Sequence, residues 1–104
     1  MGTNQSGRAE AVPKMSLRVV FRHVARVEFD SAADWYEQRR VGLGLLFTTA
    51  VHQVLDRIVV HPDFYPRVFS EIREAPVSGF PYCVYFFEEE DRVVILSVFH
   101  TARD

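Results

Sequence analysis

The sequence predicts an α+β domain, a helical hairpin packed on one face of a mostly antiparallel sheet, in the order β-α-α-β-β-β. Three observations predict it. Two stretches, about residues 24–40 and 45–60, space their apolar side chains three and four apart, and the glycine-containing Val41-Gly42-Leu43-Gly44 separates them. Two runs rich in aromatic and β-branched residues, Phe80–Phe87 and Arg92–Phe99, flank Glu88-Glu89-Glu90-Asp91 and read as a β-hairpin. Leu17–Phe21 supplies a short strand ahead of the helices.

Taken in order, Met1–Ser16 is polar and small, shows no apolar period, and reads as a disordered tail ahead of a single domain over residues 17–104. In the first helix Ala25, Phe29, Ala32, Ala33 and Tyr36 share a face, leaving Glu28, Asp34, Glu37 and Arg40 free to meet water. In the second, Leu46, Phe47, Ala50, Val51, Val54, Leu55 and Ile58 form a broad apolar stripe. His61-Pro62 stops it, because the residue before proline is pushed out of the helical region. Phe64-Tyr65-Pro66 then leads into Arg67–Val77, expected as one edge strand disturbed at Pro76. In the last strand Val93, Val94, Ile95 and Leu96 are apolar in both alternation phases, so the strand is expected to be central and covered on both faces.

Composition narrows the function. A chain of 104 residues, 48% hydrophobic, builds one modest core, and a net charge of -2 argues against a broad phosphate-binding footprint. The single cysteine, Cys83, sits in an apolar run, which excludes an intrachain disulfide and points to a buried thiol. No continuous apolar run approaches the ~18 residues that cross a bilayer, and the N-terminus lacks a signal-peptide core, so a cytoplasmic protein is expected. The four histidines have no metal-ligand spacing, Gly42-x-Gly44 is a helix turn rather than a phosphate loop, and Glu88–Asp91 lacks a calcium-loop pattern, so neither metal nor cofactor is expected.

Several fragments together resemble the RelE/ParE superfamily of toxins from type II toxin-antitoxin modules: His23-x-Ala25-x-x-Glu28-Phe29, Ala33-x-Trp35-Tyr36-Glu37, Gly42-Leu43-Gly44-x-x-Phe47, His61-Pro62, Ile72-Arg73, Phe80-Pro81-Tyr82-x-Val84-Tyr85 and Val98-x-His100-x-x-Arg103-Asp104. The resemblance spans about residues 17–104 and is closest to the ParE, plasmid-stabilisation-like branch. It implies a growth-inhibiting toxin neutralised by a cognate antitoxin, with DNA gyrase as target in the ParE branch. In the RelE branch it implies a ribosome-dependent mRNA endonuclease that needs no metal. It also implies assembly with the antitoxin, whose C-terminal segment wraps such toxins.

A metal-free ribonuclease needs a group to activate the 2′-hydroxyl, a cation for the phosphate and an acid for the leaving oxygen. The resemblance assigns Arg73 and His100 to such roles by position, and Arg103 is a second candidate phosphate clamp. Each has a plainer reading: Arg73 as a solvated residue between Glu71 and Glu74, His100 as a strand cap continuing the phase of Val94, Leu96 and Val98, Arg103 as the partner of a carboxylate. The charge balance opposes the ribonuclease, since the only lysine is Lys14, in the tail, and Gly79 stands where that branch often carries a basic residue. Candidate binding residues are Trp35, Tyr82 and Tyr85, with core packing as the alternative for each. A third reading is a degenerate member that keeps antitoxin binding without toxicity.

Overall fold

The computed structural model describes residues 17–102. The expected tail, residues 1–16, and Arg103 lie outside the described residues. The elements are β1 (Arg18–Phe21), α1 (His23–Arg39), α2 (Leu43–Val60), a single 3-10 turn at Pro62–Phe64, β2 (Arg67–Phe69), β3 (Ile72–Pro76), β4 (Tyr82–Glu88) and β5 (Arg92–His100). They form one mixed five-stranded sheet in the order β1-β5-β4-β3-β2. Only β1 runs parallel to its neighbour, β5; the other pairings are antiparallel.

The α+β class and the helical hairpin are as expected, but the strand expected over Arg67–Val77 is two strands. Ser70 adopts a left-handed φ of 53° and reverses the chain, so that Phe69 pairs with Ile72. The order is therefore β-α-α-β-β-β-β, the three-residue β2 is the edge, and β3 is paired on both sides. Serine tolerates the left-handed region less well than glycine or asparagine, so the sequence carries no turn signature at this point.

α1 and α2 turn on two glycines. Gly42 sits at φ +90°, and a Cβ on Gly44 would lie 2.8 Å from the Ala33 carbonyl oxygen, so these positions let the helices meet closely. The backbone N–H groups of Gly42 and Gly44 donate to the Glu37 carboxylate at 3.1 and 3.0 Å, giving α2 the acceptor its first turn lacks. Glu37, expected to face water only, is thus a cap in trans from α1.

α2 packs Phe47, Val51, Val54, Leu55 and Ile58 into the core, against Ala25, Phe29 and Ala32 of α1 and Val84, Phe86, Val93, Ile95 and Val98 of the sheet. By length and composition alone this 18-residue helix, mean hydropathy 1.4, is apolar enough to cross a membrane. That corrects the expectation that no segment approaches that limit. His52, Gln53, Asp56 and Arg57 interrupt the apolar run without cancelling its apolar character. The buried positions show that its apolar stripe faces the sheet.

β5 contains a bulge. Tyr85 pairs with Ser97 but Phe86 pairs with Ile95, leaving Leu96 unmatched. The bulge switches the alternation: Val93, Ile95 and Val98 join the helix-side core, whereas Val94 points to the opposite face opposite Phe87. The expected common phase of Val94, Leu96, Val98 and His100 is therefore broken. Both helices share one core with the same face of the sheet. As expected, β5 is buried on both faces: Val93 and Ile95 on the helix side and Val94, only 3% exposed, on the other.

Candidate functional site

β1 stops at Phe21, opposite Ile95, and Arg22 closes it by donating its N–H to the Ile95 carbonyl at 2.9 Å. β5 continues to His100, so its last residues run on without a strand on that side. α1 crosses the gap. Glu28 Oε1 accepts the Val98 N–H at 2.9 Å and the Ser97 hydroxyl at 2.8 Å. The carboxylate thus stands where a neighbouring strand's carbonyl would be. Glu28, expected to face water, is the polar lock between α1 and β5.

Beyond this lock the helix and the strand diverge around an open cleft of about 450 Å³. Val27, Ser31 and Trp35 of α1 form one wall, and Val98, Phe99, His100 and Tyr82 the other. A smaller hollow of about 220 Å³ shares Trp35, Tyr82 and His100. Trp35 is 51% exposed, with the Arg39 guanidinium 4.1 Å above its ring and Tyr36 edge-on at 5.2 Å. An aromatic stacked under a cation but open on its other side is a surface suited to binding.

Three of the candidates named from sequence, Trp35, Tyr82 and His100, meet in this cleft. Tyr82 and His100 are direct cross-strand partners with ring centroids 4.9 Å apart. Tyr82 is also part of the core, edge-on to Phe47 at 5.0 Å. His100 Nδ1 accepts the Ala102 N–H at 3.1 Å. That bond occupies the lone pair of Nδ1, and in the neutral ring the proton then sits on Nε2.

The other candidates lie elsewhere. Arg73 pairs with Phe86, four residues along β4 from Tyr82, and so is displaced about 13 Å along the sheet from His100. Its guanidinium donates to the Tyr65 carbonyl at 2.6 Å, fixing the segment that leads into β2. Tyr85 is on the opposite face of the sheet, where its hydroxyl donates to Glu74 at 2.8 Å. That hydrogen bond, with burial and the Glu74 charge adding, pushes the phenol up to about 12. Burial first, then the same charge, pushes the Cys83 thiol up to about 11, so Cys83 is a protonated, buried thiol at neutral pH. Thus the structure brings Trp35, Tyr82 and His100 together around one aromatic cleft and does not unite Arg73 with His100.

Sequence reasoning missed Glu28, Ser97 and Arg39 as parts of this region. Arg39 lies four residues after Trp35, a spacing that places a cation over a ring on a helix surface, and this signal was present. Nothing local to Glu28 announces a partner seventy positions away.

A helical hairpin on one face of a small mixed sheet, with an aromatic cleft between the first helix and the end of the last strand, defines a single-core α+β domain. Compared with known proteins, residues 19–104 match the family described as ParE toxin of type II toxin-antitoxin system, parDE. No curated protein sequence gives a match. Among solved structures, a chain of the chromosomal ParDE TA system from P. aeruginosa superposes with a TM-score of 0.71 at 12% identity, covering 82% of this chain and 96% of that one. At that identity the likeness concerns the fold. The chain belongs to the ParE toxin family.

Proposed function

We propose that this chain is the toxin of a type II toxin-antitoxin module, held inactive by a cognate antitoxin, and that in the cytoplasm it inhibits growth by binding a macromolecular target, DNA gyrase, rather than by cutting RNA. Stabilisation of a plasmid or chromosomal segment would follow from that activity. The observation that carries the choice of binding over cleavage is the separation of Arg73 from His100. A ribonuclease places a cation and a proton-transfer group around one phosphate, within hydrogen-bond reach of it. Here the two sit about 13 Å apart along the sheet, Arg73 is engaged with a backbone carbonyl, and His100 Nδ1 is already an acceptor.

The exposed Trp35 and the cleft beside it supply an anchor of the kind that dominates protein interfaces. The structural relative belongs to a ParDE toxin-antitoxin system, which favours an antitoxin as partner, and the short β2 edge offers unpaired backbone for it.

Purified protein should inhibit gyrase supercoiling and leave ribosome-bound mRNA intact. Cleavage of that mRNA, abolished by Arg73→Ala or His100→Ala in folded protein, would restore the RelE-like endonuclease reading. Antitoxin binding with no effect on growth, gyrase or mRNA would identify a degenerate, non-toxic member.

A further inference from the structure

Beyond Ile95 the last strand has no strand neighbour on its outer side, and the parity of its ladder with β4 fixes which backbone groups that leaves. The Thr101 N–H donates to the Pro81 carbonyl at 2.8 Å, so in the alternating antiparallel pattern Phe99 and Ser97 also turn their backbone groups toward β4. Val98 and His100 turn theirs outward, and the bond from the Val98 N–H to Glu28 agrees. The Val98 carbonyl and the His100 N–H therefore face the cleft, and neither has a partner among the described residues. Acceptor and donor follow one another as on the edge of a sheet, within about 7 Å of strand.

The walls select what can use this edge. α1 stands across the cleft with Val27, Ser31 and Trp35, so a single extended segment fits between helix and strand. The edge of another folded sheet, a second copy's included, would bring further strands and their covering helices against α1. On the helix side the added segment meets Trp35, Tyr82 and His100, which suits an aromatic or branched apolar residue at that position. Residues 1–16 do not supply it. They join the domain where Arg18 pairs with Arg92, about 25 Å along β5 from His100, so about eight residues are needed to span the distance. Among the eight that remain, Met1–Arg8, the sole large apolar side chain is Met1.

We propose that the target protein docks here by strand addition: an extended segment of the target pairs with the outward backbone of Val98 and His100, in the position beside β5 that β1 leaves at Phe21. This docking mode rests on the toxin reading above and adds how the target is recognised. Backbone pairing supplies affinity whatever the segment's sequence, and the aromatic pocket at Trp35 supplies selection. Glu28 sets the boundary, because it already holds the Val98 N–H and the added ladder therefore begins at the Val98 carbonyl. With the antitoxin placed at the β2 edge, the two partners use opposite edges of the sheet.

The test is hydrogen exchange, resolved at single residues, of the full chain free and bound to purified gyrase. Binding should slow exchange of the His100 amide about tenfold or more. A second measurement removes that donor alone. Joining a synthetic segment of residues 83–104 at Cys83 allows the amide between Phe99 and His100 to be made an ester, which keeps both side chains. The ester protein should melt as the parent does and bind gyrase more weakly by about fivefold or more. Gyrase bound with an unprotected His100 amide, or bound equally well by the ester protein, overturns the docking mode and leaves the toxin reading intact. Failure of gyrase to bind at all overturns both. Protection of His100 by the antitoxin or by self-association, in place of gyrase, gives the edge to that occupant and also overturns the proposal.

Discussion

The Glu28 carboxylate of α1 accepts the backbone N–H of Val98 in β5 at 2.9 Å, joining residues 70 positions apart. The same oxygen takes the Ser97 hydroxyl, so one side chain closes the gap left where β1 ends and fixes the first helix on the last strand. Replacing Glu28 by alanine leaves the Val98 N–H without its acceptor in a partly buried site, and unfolding free energy should fall by about 1–3 kcal/mol. Glu28→Gln keeps one acceptor oxygen and should recover part of it. Urea denaturation of both variants checks the order; an alanine variant as stable as the parent refutes the role.

Gly44→Ala and Gly42→Ala separate close packing from backbone strain. The Gly44 change forces a methyl to 2.8 Å from the Ala33 carbonyl and should cost about 1–3 kcal/mol as the hairpin opens. At Gly42 there is open space around the new methyl and only the positive φ opposes it, so about 1 kcal/mol is expected. Thermal melts that rank Gly42→Ala as the more damaging would contradict the close approach of the helices.

Stability should decline at alkaline pH. Tyr85 is raised from 10.0 to about 12 and Cys83 from 9.0 to about 11. A folded-state value above the unfolded one means that the native protein holds the proton more tightly. The associated stability is complete below pH 9, and is lost as pH rises through 11 and 12. Glu74→Gln removes the charge that raises both groups, and should move the phenolate absorbance transition of Tyr85 toward 10. An unshifted transition would exclude Glu74 as the cause.

Trp35→Ala should reduce affinity for the target protein by about tenfold or more, because an exposed tryptophan in a cleft is the expected anchor. Its melting temperature should change little, as half of the side chain is already in water. Calorimetric titration against the purified target distinguishes this from a general loss of fold. An unaltered affinity would remove the cleft from the binding surface.

Much of the architecture was legible in residue spacing. The helical stripes of α1 and α2 fix two amphipathic helices, and the acidic break at Glu88–Asp91 fixes the terminal hairpin. The division of Arg67–Val77 was not legible, because the turn is made by Ser70 in a conformation that the sequence does not advertise. The Leu96 bulge was hidden for a different reason: Val93 to Leu96 are apolar at every position, so neither alternation phase was distinguishable. In the site, Trp35, Tyr82 and His100 were identified one by one, but their convergence depends on α1 crossing the end of β5. Arg73 failed as their companion because register, invisible in composition, sets it four residues along β4.

The parallel pairing of β1 with β5 also governs when the domain can exist during synthesis. Arg18 meets Arg92, and the strand between β1 and β4 in the sheet comes after every other described element in the chain. Until β5 has emerged, β1 has no neighbour, β4 lacks one side, and α1 has no Val98 to receive Glu28. A ribosome-bound chain therefore cannot close its sheet early, and one truncated before Arg92 carries the helices without the strand that organises them. Closure of the core therefore waits on the strand that comes last in the order of the described elements, and everything before it is held ready for that one partner.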